Sequence, residues 1–173
     1  MNEAMHDAMK RLRHDVAMQA AAVVLISALL MVSGALVFEH LLGYQPCELC
    51  FLQRKPWYAL VPVGFVLLLF ATKDDRKLLR AGLALAAFIL FVSAGLGAWH
   101  AGIEWKWWPG PATCTAGGTD FTVALPSLDR QVVLCDEAPL RILGLSLAGW
   151  NAVISLAAGL FALRGALHRR GNG

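Results

Sequence analysis

From Val16 to Phe38 the chain carries no ionisable side chain. The run is longer than the ~20 apolar residues a helix needs to cross a hydrocarbon core of ~30 Å, and longer than the roughly 7–15 residues of a signal-peptide apolar region. It reads as a retained membrane span. Lipid offers no partner for backbone N–H and C=O groups, so a spanning segment of this kind is helical. Three further uncharged runs follow, Trp57 to Ala71, Ala81 to Trp99 and Ile142 to Leu163. The second is short alone, but Phe51, Leu52 and the aliphatic stems of Arg54 and Lys55 extend it backwards while their charged heads reach for the interface. Pro56 and Pro62 then lie inside a helix, where neighbouring groups satisfy the freed backbone atoms and a kink is expected. The expectation is an all-α, integral membrane four-helix bundle, a single membrane domain over residues 1–173 with spans 16–38, 51–71, 81–99 and 142–163. A composition that is 58% hydrophobic and 16% charged excludes an ordinary soluble domain.

Four spans place both termini and the 72–80 loop on one side, and the 39–50 and 100–141 loops on the other. The first side carries Lys10, Arg11, Arg13, Lys73, Arg76, Lys77, Arg80, Arg164, Arg169 and Arg170; the second has Arg54, Lys55, Lys106, Arg130 and Arg141. That twofold bias puts the termini in the cytoplasm and the two long loops outside it. Trp99, Trp105, Trp107 and Trp108 mark the outer interface of the third span. With a net charge of only +3, and basic residues gathered beside apolar runs, nucleic-acid binding is not indicated.

All four cysteines fall in the outside loops, where disulfides persist. They form a tight pair, Cys47 and Cys50, and a wide pair, Cys114 and Cys135; pairing within each set is the simplest of three connectivities. At the start of the second helix, unpaired N–H groups and the positive dipole end favour a thiolate, and Arg54 one turn on adds a positive charge, while Glu48 opposes it. Such a pair is suited to redox chemistry. A structural disulfide and half of a zinc site are the other readings, the latter drawing on His40 and His100, although neither has metal-ligand spacing to the cysteines. Cys114 lies in the turn-rich stretch from Pro109 to Gly118, an exposed loop within reach of a protein partner. Cys135 follows the short apolar run Gln131 to Leu134, which suits the membrane surface. A bond between Cys114 and Cys135 could equally staple the loop, contributing ~3 kcal/mol. Together the two pairs suggest a relay that carries electrons from a soluble protein to a lipid-soluble acceptor such as a quinone.

Cys47-Glu-Leu-Cys50-Phe-Leu-Gln-Arg54 ahead of the second span, the Pro-rich approach to Cys114, Cys135 in the same loop and Leu143-Gly-Leu-Ser-Leu-Ala-Gly-Trp150-Asn151 at the last span resemble the disulfide bond formation protein B (DsbB) family. The resemblance runs from Val16 to Leu163. It implies a bacterial inner-membrane enzyme, both termini cytoplasmic, that reoxidises a periplasmic thioredoxin-like oxidase (DsbA-like) and passes the electrons to ubiquinone or menaquinone. It further implies that Cys114 forms the mixed disulfide with the partner and that Cys135 exchanges with the Cys47–Cys50 pair. Cys50 would contact the quinone, Arg54 would hold the quinone oxygen, and His100 would stand nearby; no metal is implied. The alternatives are a membrane assembly protein with stapling disulfides and a metal-binding membrane protein. Asn151 reads as an interhelical hydrogen-bonding residue. His14, His168 and His40 read as solvated or interfacial side chains without a role.

Overall fold

The computed structural model describes residues 15–73, 75–111 and 134–168. It contains four long helices: α1, Val16–Leu36, continued by a π-helical turn at Val37–Leu41; α2, Glu48–Thr72; α3, Arg76–Glu104; and α4, Leu147–Leu167. Each is long and apolar enough to cross a membrane, and each begins at a side-chain cap. The Asp15 carboxylate accepts the Ala17 N–H at 3.0 Å, Asp75 accepts that of Leu78 at 3.2 Å, and Ser146 accepts that of Gly149 at 3.1 Å. At the head of α2 the cap is the Cys47 sulfur.

Two of these starts are tied together: Asp15 pairs with Arg76 at 2.5 Å, so α1 and α3 begin side by side. Burial raises the Asp15 carboxyl, but the Arg76 hydrogen bond and charge outweigh it and leave Asp15 below its ordinary value. The bundle closes as a ring, with α1 against α2 and α4, α2 against α3, and α3 against α4 over the longest seam. Leu60, Leu67, Leu79, Leu83 and Leu90 fill the middle, while Leu30, Phe88 and Leu160 face outward as a lipid-facing surface requires. Small residues set the helix spacing. A Cβ on Gly97 would lie 2.7 Å from the Ala152 backbone nitrogen, and one on Gly64 would lie 2.9 Å from Leu25 Cα.

Helix α2 starts at Glu48 and runs through Pro56 and Pro62. Helix α3 extends past Trp99 to Glu104, which carries His100 on its last turns. The helix expected from Ile142 instead begins at Leu147, because Arg141–Ile142 and Leu145–Ser146 form a two-stranded antiparallel hairpin. Leu143 and Gly144 turn it with φ of 53° and 85°. Positive φ at both central residues defines a turn that matches strand twist, and a leucine there gives no signal in the sequence.

Candidate thiol redox site

The cysteine end of the bundle is built on the first turn of α2. Cys47 is extended (φ −73°, ψ 171°) and its Sγ accepts the Cys50 N–H at 3.2 Å, standing where serine or aspartate usually caps a helix. Cys47 is 5% exposed and Cys50 half-buried, and both are free thiols. The hydrogen bond from the Cys50 thiol, opposed by burial and joined by the His100 ring, lowers the Cys47 thiol to about 5. Glu48 is exposed on the first turn.

The run expected at the membrane surface, Gln131 to Leu134, lies outside the described residues except for Leu134. Cys135, fully buried and disulfide-bonded, packs in one apolar cluster with Cys47, Leu49 and Ile103. Lys106 holds the neighbouring Asp136 at 2.6 Å. Cys114 lies outside the described residues. His100, 2% exposed, stands between the two sulfur-bearing residues, its Nε2 3.8 Å from Cys47 Sγ and 3.1 Å from the Cys135 carbonyl oxygen. Its Nδ1 meets Gln53 Nε2 at 2.5 Å. Glu104, one turn beyond on α3, puts Oε1 3.9 Å from His100 Nε2 and leaves Oε2 buried without a hydrogen-bond partner among the described residues.

Arg54 follows Cys50 by one turn on α2. Its guanidinium pairs with Glu39 in the π turn of α1, donates to the Ala35 carbonyl at 3.3 Å and lies 5.4 Å from the Phe51 ring centre. Glu39 sits within that π turn, a geometry that recurs at functional positions. His40, in the same turn, is exposed and takes no part. The ligand atoms of Cys47, Cys50 and His100 lie within 4.8 Å of one another, so a soft metal has three candidate ligands here.

The structure therefore gathers Cys47, Cys50, His100 and Cys135 at one place and sets Arg54 on an adjacent face. Sequence reading missed Gln53, Trp57, Glu104 and Glu39. Gln53 and Trp57 sit on the buried stripe of α2 with Leu49 and Leu60, and a polar residue on that stripe is the signal that marks Gln53. Asn151 does bond across helices, to Trp57 and Gln53.

A four-helix membrane bundle with a capped, acidified thiol beside a buried disulfide cysteine defines a membrane-embedded thiol–disulfide redox protein. The comparisons give this class its family. The family model described as disulfide bond formation protein DsbB matches residues 17–164, and the chain belongs to that family. Among curated relatives named disulfide bond formation protein B, one from Polaromonas naphthalenivorans is 28% identical, covering 86% of this chain and 90% of its own length. One from Herminiimonas arsenicoxydans is 29% identical over 85% of this chain and 93% of its own, and one from Marinobacter nauticus is 32% identical over 77% and 83%. No solved structure gives a significant match. The chain is thus a multi-pass, disulfide-forming redox protein.

Proposed function

We propose that the protein is a protein-dithiol:quinone oxidoreductase of the bacterial inner membrane, with both termini cytoplasmic, that reoxidises a periplasmic thioredoxin-like oxidase. The observation that carries the reading is the burial of Cys135 in one cluster with Cys47, where His100 faces both Cys47 Sγ and the Cys135 carbonyl; this supports exchange between the two cysteine pairs.

In this scheme a thiolate of the reduced partner attacks Cys114 of the Cys114–Cys135 disulfide and expels Cys135 as a thiolate. The partner's second thiol then breaks the mixed disulfide, which leaves the partner oxidised and Cys114 and Cys135 as the dithiol. Cys135 attacks Cys47 of the Cys47–Cys50 disulfide and expels Cys50; attack by Cys114 on Cys135 then restores the wide disulfide and leaves Cys47 and Cys50 holding the two electrons. The state with free Cys47 and Cys50 thiols beside a disulfide-bonded Cys135 belongs to this cycle. A low thiol pKa makes a good leaving group, so Cys47 is suited to both forming and releasing the internal bond.

Quinone supplies a two-electron, two-proton acceptor soluble in lipid. Cys50, half-buried on the first turn of α2, is the donor thiol on this reading. Arg54, one turn further along beside the 49%-exposed Phe51, faces an apolar surface from which a lipid-soluble ring would approach. A guanidinium carries five N–H donors, more than the Glu39 and Ala35 contacts use, which suits it to a developing oxyanion.

The test is quinone reduction by the purified protein in detergent, supplied with a reduced thioredoxin-like oxidase. Turnover in the wild type, lost in both Cys50→Ser and Cys114→Ser, is expected. A folded wild type with both disulfides intact that reduces neither ubiquinone nor menaquinone sinks this reading and favours disulfides that only staple the loops.

A further inference from the structure

The hydrogen bonds behind His100 run in one direction, and an indole fixes that direction. Trp57 Nε1 can only donate. It meets Asn151 Oδ1 at 2.7 Å, so that atom must be the amide oxygen and the Asn151 nitrogen must face the other way. That nitrogen donates to Gln53 Oε1 at 2.8 Å, and to the acceptor-only carbonyl of Ser93 at 3.4 Å, which favours the same orientation. With its oxygen taken, Gln53 presents its amide N–H to His100 Nδ1 at 2.5 Å. An acceptor at Nδ1 is a bare nitrogen, and the single ring proton of the neutral imidazole is then on Nε2. Among the described residues, the groups facing Nε2 are acceptors: Cys47 Sγ at the head of α2, the Cys135 carbonyl in the loop, and Glu104 Oε1 on α3.

We propose that Trp57, Asn151 and Gln53 are positioning residues that hold His100 in its Nε2–H tautomer, as a fixed hydrogen-bond donor shared between Cys47 Sγ and the Cys135 carbonyl. The donor faces Cys47 Sγ whenever that sulfur carries charge, while its bond to the Cys135 carbonyl ties the loop to the same ring. The same chain works against metal capture. To ligate a metal, His100 Nε2 must give up its proton, which then moves to Nδ1 and confronts the Gln53 N–H. Gln53 can turn only if Asn151 turns, and Asn151 is pinned by the Trp57 N–H. Cys47, Cys50 and His100 therefore have the spacing of a soft-metal site while His100 carries the wrong tautomer for one.

This inference stands apart from the quinone reading, since it is measured without turnover and its failure would leave the relay untouched. The first measurement is the ring 15N spectrum of histidine-labelled protein oxidised at Cys47 and Cys50, where no thiolate biases the ring; His100 is assigned by its loss in His100→Gln. Wild type is expected to show Nε2–H over Nδ1–H by roughly tenfold or more, the weight of one buried unsatisfied donor. Trp57→Phe removes the anchor. Gln53→Met cuts the link while keeping the side chain's length, and serves if the tryptophan variant does not fold. In either variant the excess of Nε2–H should fall severalfold, the remainder being held by the Cys135 carbonyl at Nε2.

The second measurement is Zn2+ binding by the dithiol form, using zinc ion alone against a competing chelator. Trp57→Phe or Gln53→Met should bind roughly tenfold tighter than wild type, a gain that loss of packing alone would not produce. An Nδ1–H tautomer in the wild type overturns the proposal. So does a folded variant that keeps both the wild-type tautomer ratio and the wild-type zinc affinity.

Discussion

A thiol at a helix N-cap occupies the place of a serine oxygen, and at Cys47 that placement has a titration behind it. The Cys50 thiol and N–H both serve Cys47 Sγ, and the folded dithiol protein loses the Cys47 proton near 5 where an ordinary thiol keeps it to 9.0. Between those values the unfolded chain holds a proton that the folded chain has released, so folding is favoured more as pH rises from about 5 to 9, and the gain is lost as pH falls back through 5. Iodoacetamide labelling of Cys47 in the dithiol protein should show a midpoint near 5; a midpoint near an ordinary thiol's would remove the N-cap argument. Glu39 and Arg54 test a second residue-scale contact. Each is largely shielded, at 20% and 13% side-chain exposure, so either partner left alone keeps a poorly solvated charge. Glu39→Gln and Arg54→Met should each destabilise the bundle, and the double variant should cost less than the two summed, with a coupling of ~0.5–3 kcal/mol in thermal unfolding. Strict additivity would show that the pair is not an energetic contact.

At the scale of elements, the glycines of α3 separate packing from propensity. Gly97 faces α4, where an added Cβ would sit 2.7 Å from the Ala152 nitrogen and 2.9 Å from the Ala148 carbonyl, whereas one on Gly95 would meet nothing within 4 Å among the described residues. Gly97→Ala should therefore destabilise by ~1–3 kcal/mol as the α3–α4 seam is forced apart. Gly95→Ala should be neutral or stabilising by up to ~1 kcal/mol through helix propensity alone. Equal effects at the two sites, read as unfolding midpoints in detergent, would contradict the seam. The helices themselves were legible in the sequence because charge-free runs of spanning length admit few alternatives. Their ends were less so. The sequence showed Glu39 and His40 as the start of a loop, yet they extend α1 as a π turn, and Leu143 gave no sign that it would take a positive φ and delay α4.

At the scale of the whole molecule, the cysteines were legible as two pairs in the 39–50 and 100–141 loops, but the meeting of Cys47 and Cys135 was not. Gln131 to Leu134 lies outside the described residues except for Leu134, and nothing local told that Cys135 would be fully buried against the head of α2. That position is set by contacts distant in sequence, His100 to the Cys135 carbonyl and Lys106 to Asp136, which no single stretch encodes. The Gln53–Asn151–Trp57 chain was hidden for the same reason, since its members come from two helices separated by most of the sequence. The meeting has a direct test. In a Cys50→Ser, Cys114→Ser double variant only Cys47 and Cys135 remain, one at the start of α2 and the other in the loop before α4. Burial in a common cluster places them near each other in the folded protein, with His100 Nε2 3.8 Å from Cys47 Sγ. The two should close a disulfide under a mild oxidant in high yield, seen as resistance of both thiols to alkylation after denaturation and as one linked peptide pair on digestion. If both thiols remain alkylatable after oxidation of the folded protein, the loop does not dock on α2 and the internal step of the relay has no route.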